Sequence, residues 1–363
     1  MRASFLAGLL GCSGGAGQLR PEPTFIQVEL GTETVGTPEA PLPFPLEAFK
    51  VPITVRTLDR EQQPHPLDGT LLLKVRPGKI EGETRIQMQG GVWTGELEFR
   101  YAFGPTRIWA SDDIGDNGRE TSFTVGVSEQ LNFAFPTIRE MQLNDDHETN
   151  NLDREFAELR LSDRQVIVTA LDAAGFWATD AADPVGGYNG VYVYTFGRPD
   201  EEIQPGARLT LLTGNNQEYL ATTQLSFPTI EVEAGSKYDL PPMVELDDAS
   251  DCTETAIEGA EGSQVHITSG TIPADFMQNA EYSEKFTDYA EWPVTVGECT
   301  YLVVSNATAP DFYPPDHAGQ VVNLTGQLKE IYGDPILVIT DADDIVLNTA
   351  GPARPPASPK VSR

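Results

Sequence analysis

One stretch of this chain occurs twice, and that repetition limits what the chain can fold into more than any other feature. Residues 207–232 and 319–346 share one order of parts. Each opens with an alternating strand that runs into Leu-Thr-Gly, at Leu212-Thr213-Gly214 and at Leu324-Thr325-Gly326. A short turn bearing Glu and Tyr follows (Glu218 and Tyr219; Glu330 and Tyr332), then a second apolar strand. The similarity extends upstream, because Gln165-Val-Ile-Val-Thr169 matches Gln264-Val-His-Ile-Thr268. The second copy is longer, and the polar stretch from Ile272 to Glu291 can absorb the difference as a loop. Two long copies predict tandem domains, since solenoid repeats have periods of roughly 20 to 50 residues and come in longer series.

Strands fill the first copy. Val166 to Leu171, Gly175 to Asp180 and Gly190 to Phe196 precede the Leu-Thr-Gly strand. These pieces, with Gln217-Glu218-Tyr219 after it, resemble the small OB-like barrel that accompanies secreted bacterial nucleases. The resemblance implies two OB-like β-barrels, over residues 160–234 and 235–348. It also offers a role as an accessory relative of a secreted nuclease or phosphoesterase. A catalytic domain of that kind needs about 250 more residues with His and Asp metal-ligand motifs, and no segment of that length remains.

Ahead of the repeat, about seven short strands fall between residues 24 and 136, the number and spacing of an immunoglobulin-like sandwich. They are Phe25 to Leu30, Val51 to Leu58, Thr70 to Val75, Arg85 to Met88, Val92 to Arg100, Arg107 to Ser111 and Ser122 to Val127. The run from Gly91 to Asp112 resembles the later strands of bacterial Ig-like surface modules, which implies a spacer or adhesive part without chemistry. The fold class expected is all-β, an Ig-like β-sandwich followed by two OB-like β-barrels. With 33 Gly and 28 Pro the composition suits loop-rich sheets better than helical bundles. Residues 137–159 read as an acidic linker, and residues 349–363 as a Pro-rich disordered tail.

Residues 1–23 read as a signal and tether. Arg2, a short apolar run and Leu9-Leu10-Gly11-Cys12 resemble a bacterial lipoprotein signal, which implies lipidation of Cys12 and a membrane anchor. Ser13 in the next position, with no Asp there, implies transfer to an outer membrane. Beyond that segment no run reaches the roughly 20 apolar residues of a membrane helix.

Cys252 and Cys299 are then the remaining pair. An even pair in an exported chain predicts a disulfide. Metal ligation is the rival, and neither cysteine belongs to a C-x-x-C pair or has a histidine nearby. The four histidines are scattered, so the sequence supports no catalytic or cofactor site and the protein reads as a non-enzyme. Acidic clusters at Asp112, Asp113 and Asp116, at Asp247 and Asp248 with Asp251, and at Asp341 with Asp343 and Asp344 are weak Ca²⁺ candidates. None fits the twelve-residue Ca²⁺ loop.

The ligand candidates are aromatic: Trp177, Tyr192, Tyr194, Phe196 and Tyr219. Alternation puts Tyr192, Tyr194 and Phe196 on one strand face and Val191 and Val193 on the other. Aromatics facing out form a platform for bases or sugars; aromatics facing in are core. A net charge of −31 disfavours nucleic acid, which needs Lys and Arg against its phosphates. In the first barrel only Arg160, Arg164, Arg198 and Arg208 are cations, and carboxylates outnumber them. A neutral glycan meets no such repulsion, so the reading is a lipid-anchored surface binding or scaffold protein, with carbohydrate as the alternative ligand.

Overall fold

The computed structural model describes residues 24–113, 123–143, 150–152, 154–247 and 250–348. The signal, Cys12, Asp116, Asp248 and the tail lie outside them. Strand accounts for 46% and helix for 9%, so the chain is all-β as expected. It divides into two compact units, Met1–Phe133 and Ala134–Arg363.

Among the described residues of the first unit, ten strands form two sheets. They are β1 (Thr24–Leu30), β2 (Phe49–Leu58), β3 (Thr70–Arg76), β4 (Lys79–Glu81), β5 (Arg85–Gln87), β6 (Val92–Arg100), β7 (Gly104–Asp112), β8 (Phe123–Thr124), β9 (Gly126–Val127) and β10 (Leu131–Phe133). One sheet has the order β4-β6-β2-β1-β8; the other runs β10-β7-β3-β5, with β9 on β7. Alternation builds the core between them. Val51, Ile53 and Val55 of β2 meet Leu71, Leu73 and Val75 of β3, and Phe99 and Phe133 pack edge to face.

The second unit holds two rings of strands. The first comprises β11 (Phe156–Glu158), β12 (Val166–Leu171), β13 (Gly175–Asp180), β14 (Gly190–Tyr194), β15 (Leu209–Tyr219) and β16 (Thr222–Val232), in the order β11-β15-β16-β14-β13-β12. The second comprises β17 (Val244–Glu245), β18 (Gln264–Thr271), β19 (Glu291–Val296), β20 (Cys299–Val304), β21 (Val321–Ile331), β22 (Asp334–Val338) and β23 (Ile345–Leu347), in the order β17-β18-β19-β20-β22-β21-β23. A β18–β21 pairing closes its middle five strands into a barrel. The repeat is thus a repeat of topology: in both copies the fourth strand runs parallel to the sixth, as β14 to β16 and β20 to β22. Closure is weaker in the first copy, where Ile167 bridges Arg208 and Val168 bonds the backbone of Gly206 and Ala207.

Geometry explains the shared Leu-Thr-Gly. β21 pairs β18 up to Gln327 and β22 from Gln327 onward, so Gly326 sits where one strand turns between two partners. A Cβ there would stand 2.6 Å from the Val338 carbonyl oxygen, a close approach that only glycine permits.

Two expectations are corrected. The insertion expected as a loop carries a helix, Ala280–Tyr289, capped by Asn279, whose side chain accepts from the amides of Glu281 and Tyr282. The stretch expected as a linker carries a helix, Ile138–Gln142, closed by a Thr137–Glu140 capping box, and β11, which pairs β15. Numbered in chain order, Ile138–Gln142 is α1, Glu254–Ala260 is α2 and Ala280–Tyr289 is α3.

The copies meet along a polar seam. Tyr188 N–H donates to the Gly259 carbonyl at 2.8 Å, Thr223 N–H to both Glu261 oxygens at 3.2 Å, and Tyr332 N–H to the Leu220 carbonyl at 3.0 Å. Glu218, Glu258, Glu261 and Glu330 converge here. Burial, with the neighbouring charges of Glu330, Glu218 and Glu254, pushes the Glu258 carboxyl up to about 8. Glu261 is pushed the same way by burial and by Glu218 and Glu258. The folded state therefore holds a proton on Glu258 that the unfolded chain releases near its ordinary 4.5. That stabilisation is complete below about 4.5 and is lost as pH rises through about 8. Discounted for the exposed part of the side chain, it amounts to about 1–2 kcal/mol, or roughly 2–8 °C in melting temperature, in favour of pH 5.5 over pH 8.5. Glu258→Gln is expected to flatten this slope in scanning calorimetry; an unaltered slope would assign it to general charge repulsion.

Candidate ligand-binding groove

Strand β14 decides which way the aromatics face. Val191 and Val193 are 0% exposed and fill the first barrel, so Tyr192 and Tyr194 point outward and Phe196, just past the strand, is 53% exposed. The ladder therefore faces away from the interior that Val191 and Val193 fill, so these rings are not part of the first copy's core. Register extends the platform sideways: Tyr192 lies beside Gln224 of β16, and Gln224 opposite Gln217 of β15. One row later Tyr194 lies beside Ser226. Tyr192 and Tyr194 therefore each have an amide or hydroxyl as lateral neighbour.

These residues line a groove of about 480 Å³, within the 300–1,000 Å³ typical of small-ligand sites. The rings of Tyr194 and Phe196 lie 4.5 Å apart, and Phe196 and Phe227 again 4.5 Å apart. Tyr219 and Leu220 also line it, and Lys329 and Ile331 of β21 are the part contributed by the second copy. Tyr192 is fixed from behind: its hydroxyl donates to Asp172, at 3.0 Å to Oδ2. Burial and the Asp172 charge raise its pKa, so it stays protonated and keeps that bond.

Four of the eleven described non-glycine residues with positive φ lie at or beside the groove. Phe196 (φ 62°), Leu220 (58°), Ala221 (68°) and Phe227 (52°) are all left-handed without being glycine. Each costs of order 1–3 kcal/mol, and such residues concentrate at ligand sites. Leu220 and Ala221 form the two-residue β15–β16 turn, where positive φ matches the twist of a hairpin but Asn-Gly is the usual choice. The second copy places Tyr332 and Gly333 at its equivalent turn.

Of the sequence candidates, Tyr192, Tyr194, Phe196 and Tyr219 come together in the groove. Trp177 does not line it: at 1% exposed it is buried, its ring centroid 4.9 Å from that of Tyr192, and it supports that ring instead. Sequence reasoning missed Phe227, Gln224, Ser226 and Lys329, which only the β14–β16 register and the second copy bring in. Some of the Ca²⁺ candidates have protein partners. Asp113 pairs with Arg85 at 2.6 Å, Asp251 accepts from the Asp247 amide, and Asp341 accepts from the Asp343 amide. Among the described residues no group of three or more His, Cys, Asp or Glu is arranged to hold a metal. The expected disulfide is present, Cys252 to Cys299 with Cα atoms 5.6 Å apart, which rules out their metal-ligation reading. No described helix is long and apolar enough to cross a membrane.

No protein-family profile and no curated protein matches the chain. Among solved structures it is similar to one described as the structure of Yersinia pseudotuberculosis adhesin InvE, at 9% identity and a TM-score of 0.21, over 76% of this chain and 92% of that chain. At that score the likeness establishes neither a shared fold nor a shared role.

Proposed function

We propose that this is a non-catalytic, lipid-anchored envelope protein whose second unit carries two OB-like barrels and binds carbohydrate in the aromatic groove. The observation that carries the reading is the outward ladder of Tyr192, Tyr194 and Phe196 beside Gln217, Gln224 and Ser226. Rings supply flat apolar faces for the C–H face of a sugar, and amides and hydroxyls supply donors and acceptors for its hydroxyls. The disulfide supports an exported compartment. The Leu9-Leu10-Gly11-Cys12 signature supports the anchor.

Charge speaks against nucleic acid as the ligand. Three of the four cations of the first barrel face carboxylates: Arg164 meets Asp180 and Asp183, Arg160 meets Asp163, and Arg208 meets Glu233. No basic track is left for a phosphate backbone, which binds by displacing counterions.

A glycan array followed by calorimetric titration tests the reading. Wild type is expected to bind at least one oligosaccharide class, and Phe196→Ala or Tyr194→Ala to weaken it about tenfold, the equivalent of about 1.4 kcal/mol of lost stacking. Binding that survives both substitutions, or no binding to any glycan at millimolar concentration, would overturn it.

A further inference from the structure

The groove contains one feature that a neutral sugar does not use. Lys329 of β21 lines it, and among the described residues its ammonium has no hydrogen bond and no ion pair. That is unusual in a chain with 55 carboxylates against 24 Lys and Arg. Other sheltered cations of this unit have partners: Arg164 pairs with Asp180 and Asp183, Lys285 pairs with Asp334, and Arg139 donates to the Gly187 carbonyl. Burial lowers the Lys329 pKa, while Asp172 and Glu291 pull it back only from a distance. Asp172 is itself occupied, accepting from the Tyr192 hydroxyl and from the Ala174 amide. A desolvated charge without a partner is costly, and an anion delivered by a ligand relieves that cost.

The kind of anion follows from the surroundings. The rings of Tyr194, Phe196 and Phe227 require a ligand with an apolar face. The net charge of −31 and the nearby Asp172 penalise a polyanion, leaving room for one negative group at the Lys329 wall. We propose that the groove selects a glycan ending in a carboxylate-bearing sugar, whose ring stacks on Tyr194 and Phe196 while its carboxylate pairs with Lys329. This rests on the carbohydrate reading of the same groove and names its ligand class.

The test uses matched sugars that differ in the carboxylate: methyl glucuronide against methyl glucoside, and sialyllactose against lactose, titrated by calorimetry or saturation-transfer NMR. In at least one pair the acidic member is expected to bind ten times tighter or more, and added salt to narrow that gap. Lys329→Met is expected to erase the preference and Lys329→Arg to retain most of it, with circular dichroism melts verifying that both variants fold. Binding of both members weakened by Phe196→Ala, but with equal affinity in every pair or with a preference that survives Lys329→Met, would overturn this inference and leave the carbohydrate reading standing. Failure of wild type to bind any sugar, acidic or neutral, would overturn both.

Discussion

Replacing Cys252 and Cys299 together by serine is expected to cost the second unit about 4 kcal/mol, the loop-entropy value for a bridge of sequence separation 47. For a unit of this size that corresponds to a fall of roughly 8–16 °C in melting temperature. Position explains why the bridge matters. Cys299 opens β20 in the barrel wall, and Cys252 lies just before α2, the helix that carries Glu258 and leads into Glu261. The disulfide thus holds to the barrel the segment that presents two seam carboxylates to the first copy. Scanning calorimetry of the double variant should show the loss in one transition, with the pH slope reduced as α2 loosens. A loss below about 1 kcal/mol would mean that the native contacts of α2 already hold the segment without the bridge.

What the sequence disclosed, and what it concealed, follows from how far each signal reaches along the chain. The repeat was legible because each copy places glycine at the same strand corner, Gly214 and Gly326, with the same strand order around it. The cysteine pair was legible from its number and compartment. Alternation divided β14 correctly into Val191 and Val193 against Tyr192 and Tyr194 but could not say which face meets water, because both faces are apolar. Strands β4, β10 and β11 have three residues each, too few for a period of two to show. The two misread helices did leave signals: Asn279 ahead of α3, and Thr137 three residues before Glu140 at α1. Lys329 was out of reach. A charge count confined to the first barrel cannot include a lysine contributed by the second, and only tertiary structure brings it to the aromatic ladder. The same holds for the seam, where the Thr223 amide in one copy meets Glu261 in the other.

That seam also sets the last expected result, a loss of roughly 3 kcal/mol on changing Gly190 to alanine, from overpacking and broken hydrogen bonds together. Gly190 opens β14, and a Cβ there would stand 2.2 Å from the Gly262 carbonyl carbon and 2.4 Å from both the Gly262 oxygen and the Ser263 nitrogen. These are backbone atoms, so no rotamer change relieves the clash and the two barrels must move apart. The movement would strain neighbouring bonds, Gln142 Nε2 to the Gly190 carbonyl at 2.6 Å and the Ser263 hydroxyl to Asn189 at 3.3 Å. Gly262→Ala is expected to cost about 1 kcal/mol more, because that residue also has a left-handed φ of +70°. Gly197→Ala is the control: nothing lies within 4 Å of its Cβ, and it should change stability by less than about 0.5 kcal/mol. Separation at this point also carries Lys329 away from Tyr194, so sugar affinity should fall in Gly190→Ala below the temperature at which the unit melts. If Gly190→Ala melts with wild type and binds as wild type does, the close backbone contact does not hold the barrels in register, and the groove does not depend on their seam.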